Sequence, residues 1–156
     1  MEREAKKMVD FSKWVKYIGN EDGKHVFYKL DDMDIKNAER KLGYKFPKEL
    51  SEFYKQVGYG FLCSYDKEAI DRMMDPESIA NFLLNNTQEE DKYFIEYCKM
   101  ENTIPFFEIG DGSYITMSRD TNRIFYFDHV IASSLQEFLD KMDKTTDYYL
   151  KFEMEE

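Results

Sequence analysis

This chain is poor in the residues that usually announce chemistry. Its two cysteines, Cys63 and Cys98, lack the close spacing of a metal knuckle or a redox pair and read as buried free thiols. Its two histidines, His25 and His129, stand in no metal-ligand spacing, so each reads as structural or surface. Gly110-Asp111-Gly112-Ser113 lacks the Lys-Ser/Thr that completes a phosphate loop and falls between strands; Asp-Gly there marks a hairpin, because Gly takes positive φ without steric cost. An enzyme of this size should show a nucleophile with a base, a metal cluster or poised carboxylates, and none stands out. No catalytic, metal or cofactor residue is therefore assigned, and a non-enzyme is expected. No stretch approaches the roughly 18 apolar residues of a membrane span. Met1 to Lys7 leads into mixed charge rather than an apolar signal core, so a cytoplasmic protein is expected. There is no internal repeat, linker or low-complexity tract.

What is present is aromatic and acidic. With 13 Phe, 12 Tyr and one Trp, and an apolar fraction of 42%, the chain can bury enough surface to offset chain entropy despite 35% charged residues. Its 156 residues suit one core better than two, so a single domain over 1–156 is expected. Thirty-two Asp and Glu against 22 Lys and Arg leave a net charge of −10. That field repels phosphate backbones, which argues against direct nucleic-acid binding and favours a basic partner.

Helical periodicity begins at once. Met8, Phe11, Val15 and Ile18 make one stripe, with Trp14 beside it, predicting a helix over 2–18 that Gly19-Asn20 ends. His25 to Leu30 reads as a brief strand or an extended connector. Asp34 reads as the N-cap of a helix carrying Ile35, Ala38 and Leu42, with Gly43 as its left-handed C-terminal cap. Pro47 opens a second helix burying Leu50, Phe53, Tyr54 and Val57, and Gly58-Tyr59-Gly60 breaks it ahead of the strand Phe61-Leu62-Cys63. Asp75-Pro76-Glu77-Ser78 starts a helix with Ile79, Phe82 and Leu83 inside, ended by Asn85-Asn86-Thr87. Gln88 to Tyr97 reads as a further helix with Tyr93, Phe94 and Tyr97 on its apolar side.

From Thr103 the period becomes two. Ile104 to Ile109, Ser113 to Ser118 and Arg123 to Ala132 read as three strands of an antiparallel meander. Ser134-Leu135-Gln136-Glu137 is a capping box opening a helix that buries Leu135, Phe138, Leu139 and Met142. The acidic end, Glu153 to Glu156, is expected to fray. On the last strand Phe125, Phe127 and His129 point one way and Ile124, Tyr126, Asp128 and Val130 the other; the phenylalanines mark the expected core face, leaving Tyr126 and Asp128 exposed.

The carboxylates Glu108, Asp111, Asp120 and Asp128 gather in this sheet region. A hydrolase pair or a divalent-metal site is one reading of them, and solvated turns are another. Beside Tyr114 and Tyr126 they would also make a surface complementary to a basic protein, with aromatic anchors inside a charged rim. The candidate partner-binding set is therefore Glu108, Asp111, Tyr114, Asp120, Tyr126 and Asp128.

The order and spacing of Ile35, Ala38, Glu39, Leu42, Gly43, Phe46, Pro47, Leu50, Phe53 and Tyr54 resemble the entry motif of the SUKH superfamily. Ile104-Pro105-Phe106, Gly110-Asp111-Gly112, Ile124-Phe125-Tyr126-Phe127 and Ser134-Leu135-x-x-Phe138-Leu139 are similar to its closing sheet and last helix, so the likeness spans roughly 34–142. The usual Asn-Gly after the second helix is here Val57-Gly58-Tyr59-Gly60. The resemblance implies an α+β domain with a central, mostly antiparallel sheet and helices packed around it. Bacterial members are mostly immunity proteins that bind and block a cognate secreted toxin, often a nuclease, inside the producing cell; fungal relatives act in cell-wall regulation. A general interaction or small-ligand module of the same fold is the alternative it allows.

Overall fold

The chain folds around a seven-stranded antiparallel sheet in which every strand pairs with its neighbours in sequence, as a computed structural model describes for residues 9–63, 71–86 and 88–150. The strands are β1 (Val26–Tyr28), β2 (Tyr59–Leu62), β3 (Asp71–Met73), β4 (Thr103–Glu108), β5 (Tyr114–Ser118), β6 (Ile124–Tyr126) and β7 (His129–Ala132). The helices are α1 (Asp32–Leu42), α2 (Lys48–Gln56), α3 (Pro76–Asn85), α4 (Glu89–Glu101) and α5 (Leu135–Lys144), preceded by a 3-10 helix at Ser12–Tyr17. This is the α+β architecture expected. The short strand β3 is one that the sequence does not announce.

The expected corner is present, with two refinements. Gly43 caps α1 in the left-handed conformation, φ 86°, donating to Glu39 O. Asp31 rather than Asp34 is the N-cap of α1: Asp34 sits one turn in, and its carboxylate accepts from the Asp31 N–H at 3.1 Å, the reciprocal half of a capping box. Pro47 likewise stands at the N-cap of α2, one residue before its first turn. Two acidic side chains then lock the corner. Glu39 accepts from the Phe46 N–H at 2.9 Å, and the buried Glu49 accepts from Leu135 N–H at 2.7 Å, tying α2 to the start of α5. Burial pushes the Glu49 carboxyl up, and the Leu135 hydrogen bond opposes it.

Helices lie on both faces of the sheet. Phe53 of α2 meets Phe27 of β1 edge-on at 5.5 Å, and Phe138 of α5 meets Phe107 of β4 at 5.3 Å. Phe107 pairs with Ile115, so the next residue along β5, Tyr114, points the opposite way. There it stacks on Phe94 of α4 and meets Phe82 of α3.

Four expectations change. The helix predicted over 2–18 is, within the described residues, a 3-10 helix, while residues 1–8, and so Met8, lie outside them. Its period of three buries Phe11 and Trp14 and leaves Val15 exposed. Helix α4 buries Ile95 and Cys98, whereas Tyr93 is 76% exposed. The run Arg123 to Ala132 is two strands rather than one, turning at Phe127-Asp128, with Tyr126 paired to His129. The core face of β6 is set by its partners: Ile124 and Tyr126 pair with Met117 and Ile115, so Tyr126 is buried against Tyr149 and Phe127 is exposed. The acidic end at 153–156 and Thr87 fall outside the described residues.

His25 is structural. Its ring is fully buried beside Trp14 and Tyr17, with Nδ1 accepting from Cys63 N–H at 2.9 Å and Nε2 set 2.7 Å from Asp143 Oδ1. Nδ1 is thus the acceptor, and Nε2 carries the proton of a neutral imidazole. Burial lowers the His25 pKa from 6.5, against the pull of Asp143. Asp143 is held below its ordinary value because hydrogen bonds from His25 and Lys24 outweigh the opposing effect of burial.

Two outcomes follow from this geometry. A Cβ on Gly60 (φ 148°) would lie 2.1 Å from Val26 O across the β1–β2 pair, so Gly60→Ala should cost at least about 2 kcal/mol, read as a lowered urea midpoint. Because the unfolded chain protonates His25 more readily than the folded one, this residue's contribution is complete above about pH 6.5 and fades as the pH falls. Melting temperature should therefore drop between about pH 7 and about pH 5, and His25→Gln should flatten that portion of the profile.

Candidate functional site

The six residues singled out in the sequence do not form one surface. Glu108 and Tyr114 are paired neighbours on β4 and β5, but the Glu108 carboxylate is engaged by Arg72 Nε at 2.8 Å. Asp111 holds its own hairpin, accepting from the Ser113 N–H at 3.0 Å and hydroxyl at 2.7 Å. Asp120 lies at the other end of the sheet, in the β5–β6 turn, where Asn102 Nδ2 donates to it at 2.6 Å. Tyr126, expected on the surface, is 3% exposed. Asp128 is exposed at the β6–β7 turn, as expected.

Asp128 meets a different set of aromatics. One turn of α4 separates Tyr93 from Tyr97, and with Phe94 these two form one wall of an open trough of about 450 Å³ whose other wall is Phe127 and Asp128. Tyr93 and Phe127 are largely exposed, and Val130 and Met100 add further exposed apolar side chains on β7 and α4. Phe94 stacks on Tyr114 at 5.7 Å between centroids, so Tyr114 supports the trough from behind rather than facing a partner. Acidic groups surround it. Tyr97 is held above its ordinary pKa by burial and then by the charges of Glu101 and Asp128; Tyr114 is raised by burial, then by Glu108 and Asp91.

Phe127 occupies the left-handed region, φ 56°. A bulky aromatic held there is strained, and its ring stays largely exposed, packing on Tyr126 at 4.6 Å. Tyr93 and Tyr97 escaped the sequence reading because three aromatics at helical spacing look like a core stripe. The signal that distinguishes them is Ile95 and Cys98, three apart and of types more often fully buried than tyrosine.

Two other grooves are more polar. The larger one, about 550 Å³ between α1 and α3, is lined by Lys29, Arg40 and Lys41 and by Asp34, Asp75 and Glu77. A third, between α1 and α2, carries Lys36, Lys45, Lys48 and Lys55 beside Asp32, Glu39 and Glu52, so the negative charge is not evenly spread. Among the described residues no group of three His, Cys, Asp or Glu is placed to hold a metal ion. Cys98 is a buried thiol whose pKa burial raises to about 11, which keeps it protonated and unreactive. The trough offers a binding surface of rigid, amphipathic rings.

Strain at Phe127 has a measurable consequence. Phe127→Asn, which suits the left-handed turn, should leave the melting temperature unchanged or raise stability by up to about 1 kcal/mol, although the exposed ring and its contact with Tyr126 are lost.

Comparison with known proteins bears on what such a surface serves. Residues 32–139, from α1 into α5, match the SUKH_6 family, described as SMI1-KNR4 cell-wall. The chain is also 36% identical over 129 residues to immunity protein YxxD of Bacillus subtilis strain 168, an alignment covering 80% of this chain and 87% of that protein. No helix among the described residues is long and apolar enough to cross a membrane. A corner locked by Glu39 and Glu49, a sequential antiparallel sheet and a matching span of this extent together make the chain a member of the SUKH superfamily, in the SUKH_6 family, and a relative of a bacterial immunity protein.

Proposed function

We propose that this protein is an immunity protein that neutralises a cognate secreted toxin inside the producing cell, in the cytoplasm, by covering the toxin's working face. The observation that carries the reading is the exposed trough of Tyr93, Phe94, Tyr97 and Phe127, in a chain whose relative is an immunity protein. Large exposed aromatics rimmed by carboxylates are costly to leave in water and suited to bury against a complementary surface.

The charge argues for the partner's sign. At −10, with Glu101, Asp128 and Asp91 around the rings, the surface attracts a basic face and repels polyanions. A nuclease toxin fits because the face that grips a phosphate backbone must be basic. Inhibition then needs no chemistry from the immunity protein: occupying that face excludes the substrate, so the protein acts as a binder and not as an enzyme. Glu108, held by Arg72, and Tyr114, behind Phe94, belong to the support of this surface.

The test is to mix the purified chain with the toxin encoded beside its gene. A stable complex and loss of toxin activity are expected, with association slowing steeply from about 0.05 M to about 0.5 M salt. The pair Tyr93→Ala and Phe127→Asn should weaken binding by more than about tenfold with no loss of stability. Absence of binding to the neighbouring toxin would sink the reading, and an unaltered affinity in the double variant would move the interface elsewhere on the molecule.

A further inference from the structure

Where the trough meets the sheet it narrows into a small cleft of about 70 Å³, bounded by Tyr97 and Glu101 of α4, Thr103 of β4, Phe125 of β6, and Phe127 and Asp128 of the β6–β7 turn. Tyr97, Phe127 and Asp128 line both trough and cleft, so the two are continuous. The cleft's volume is about two waters' worth, taking about 30 Å³ as the share of each in the liquid. It is too small for a nucleotide or a cofactor and wide enough for the head of one side chain.

The lining specifies which head. Tyr97, Phe125 and Phe127 supply three aromatic rings, and Glu101 and Asp128 supply two carboxylates that both act on the Tyr97 phenol. Glu101 forms no ion pair among the described residues, and the His129 imidazole stands 3.8 Å from Asp128, beyond hydrogen-bond distance. Thr103, 7% exposed, lines the cleft with its Oγ1 buried beside the Cys98 thiol.

We infer that this cleft is a socket for a guanidinium group, an arginine side chain presented by the protein partner that docks on the trough. Rings favour a flat cation over their faces, and carboxylates favour its paired N–H groups. An ammonium would satisfy the charge but not the planar walls. Strain at Phe127 has a place in this design, since the left-handed turn sets the Phe127 ring and the Asp128 carboxylate on one rim of the cleft. The identity of the occupant as part of a toxin rests on the function proposed above, whereas recognition of the guanidinium does not.

Two measurements separate these. The first is an NMR titration of the full chain with N-acetyl-arginine methylamide, the corresponding citrulline compound serving as the neutral isostere. Shifts confined to Tyr97, Glu101, Thr103, Phe127 and Asp128 are expected with the arginine compound. They should weaken by at least about fivefold in the double variant Glu101→Gln, Asp128→Asn, whose exposed positions leave the melting temperature unchanged. Equal shifts with citrulline, equal shifts with the lysine counterpart, or full retention in the double variant would overturn the socket. The second is toxin binding by the same double variant, expected to fall by about tenfold or more. A toxin that binds wild type and double variant equally overturns the toxin arginine as occupant while leaving immunity intact. A toxin that never binds removes the immunity reading, and the arginine titration still decides the socket.

Discussion

A seven-stranded sheet has two faces to cover, and the helices of this chain cover one of them more fully than the other. That constraint shapes the rest of the molecule. Helices α2 and α5 close one face through Phe53 and Phe138 against Phe27 and Phe107, with the 3-10 helix extending the layer through Phe11. On the other face α3 and α4 reach the middle of the sheet through Phe82 and Phe94 on Tyr114. Beyond Tyr114 the helical layer stops, and Phe127 and Val130 stay uncovered beside the outer side of α4. The exposed aromatic surface is therefore built into the architecture rather than added to it.

The sheet's free edges are managed separately. Gly19 N–H donates to Phe27 O at the β1 edge, and the Tyr148 hydroxyl donates to Ile131 O at the β7 edge, so both outer strands have backbone groups already engaged. Pairing with another chain through an edge is thereby discouraged. Side chains, rather than added strands, are left as the means of recognition. The distribution of charge agrees with that: lysines collect in the groove between α1 and α2, while carboxylates collect around Tyr97 and Tyr114.

Much of the fold was legible because its signals are local. Gly43 ends α1 with a positive φ, Asp75 accepts from Ser78 N–H to open α3, and Ser134 accepts from Glu137 N–H to open α5. Each rests on groups within four residues of one another. The reciprocal Glu137 carboxylate, which accepts from Ser133 and is drawn down to about 2 by those hydrogen bonds and Lys141, is equally local. What was not legible depended on distant partners. Nothing in Ile124 to Ala132 announces a turn at Phe127-Asp128, because the alternation runs through it and neither residue is a Gly or Asn. The inward face of β6 was set by Ile115 and Met117 across the sheet, against the local preference of Phe over Tyr for the core.

The candidate site shows the same division more sharply. The amino-acid sequence by itself determined the sign of the charge, the supply of aromatic rings, the helix caps and corner, and the SUKH membership, since these are sums or short-range patterns. Only the tertiary structure decided which rings are core and which are surface: Tyr126 went inward, Tyr93 and Phe127 outward, and Asp128 came beside Glu101 on a different element. Exposure is a property of what packs on a residue, and for this face the deciding neighbours lie on elements well separated along the chain, so no window of sequence contains them.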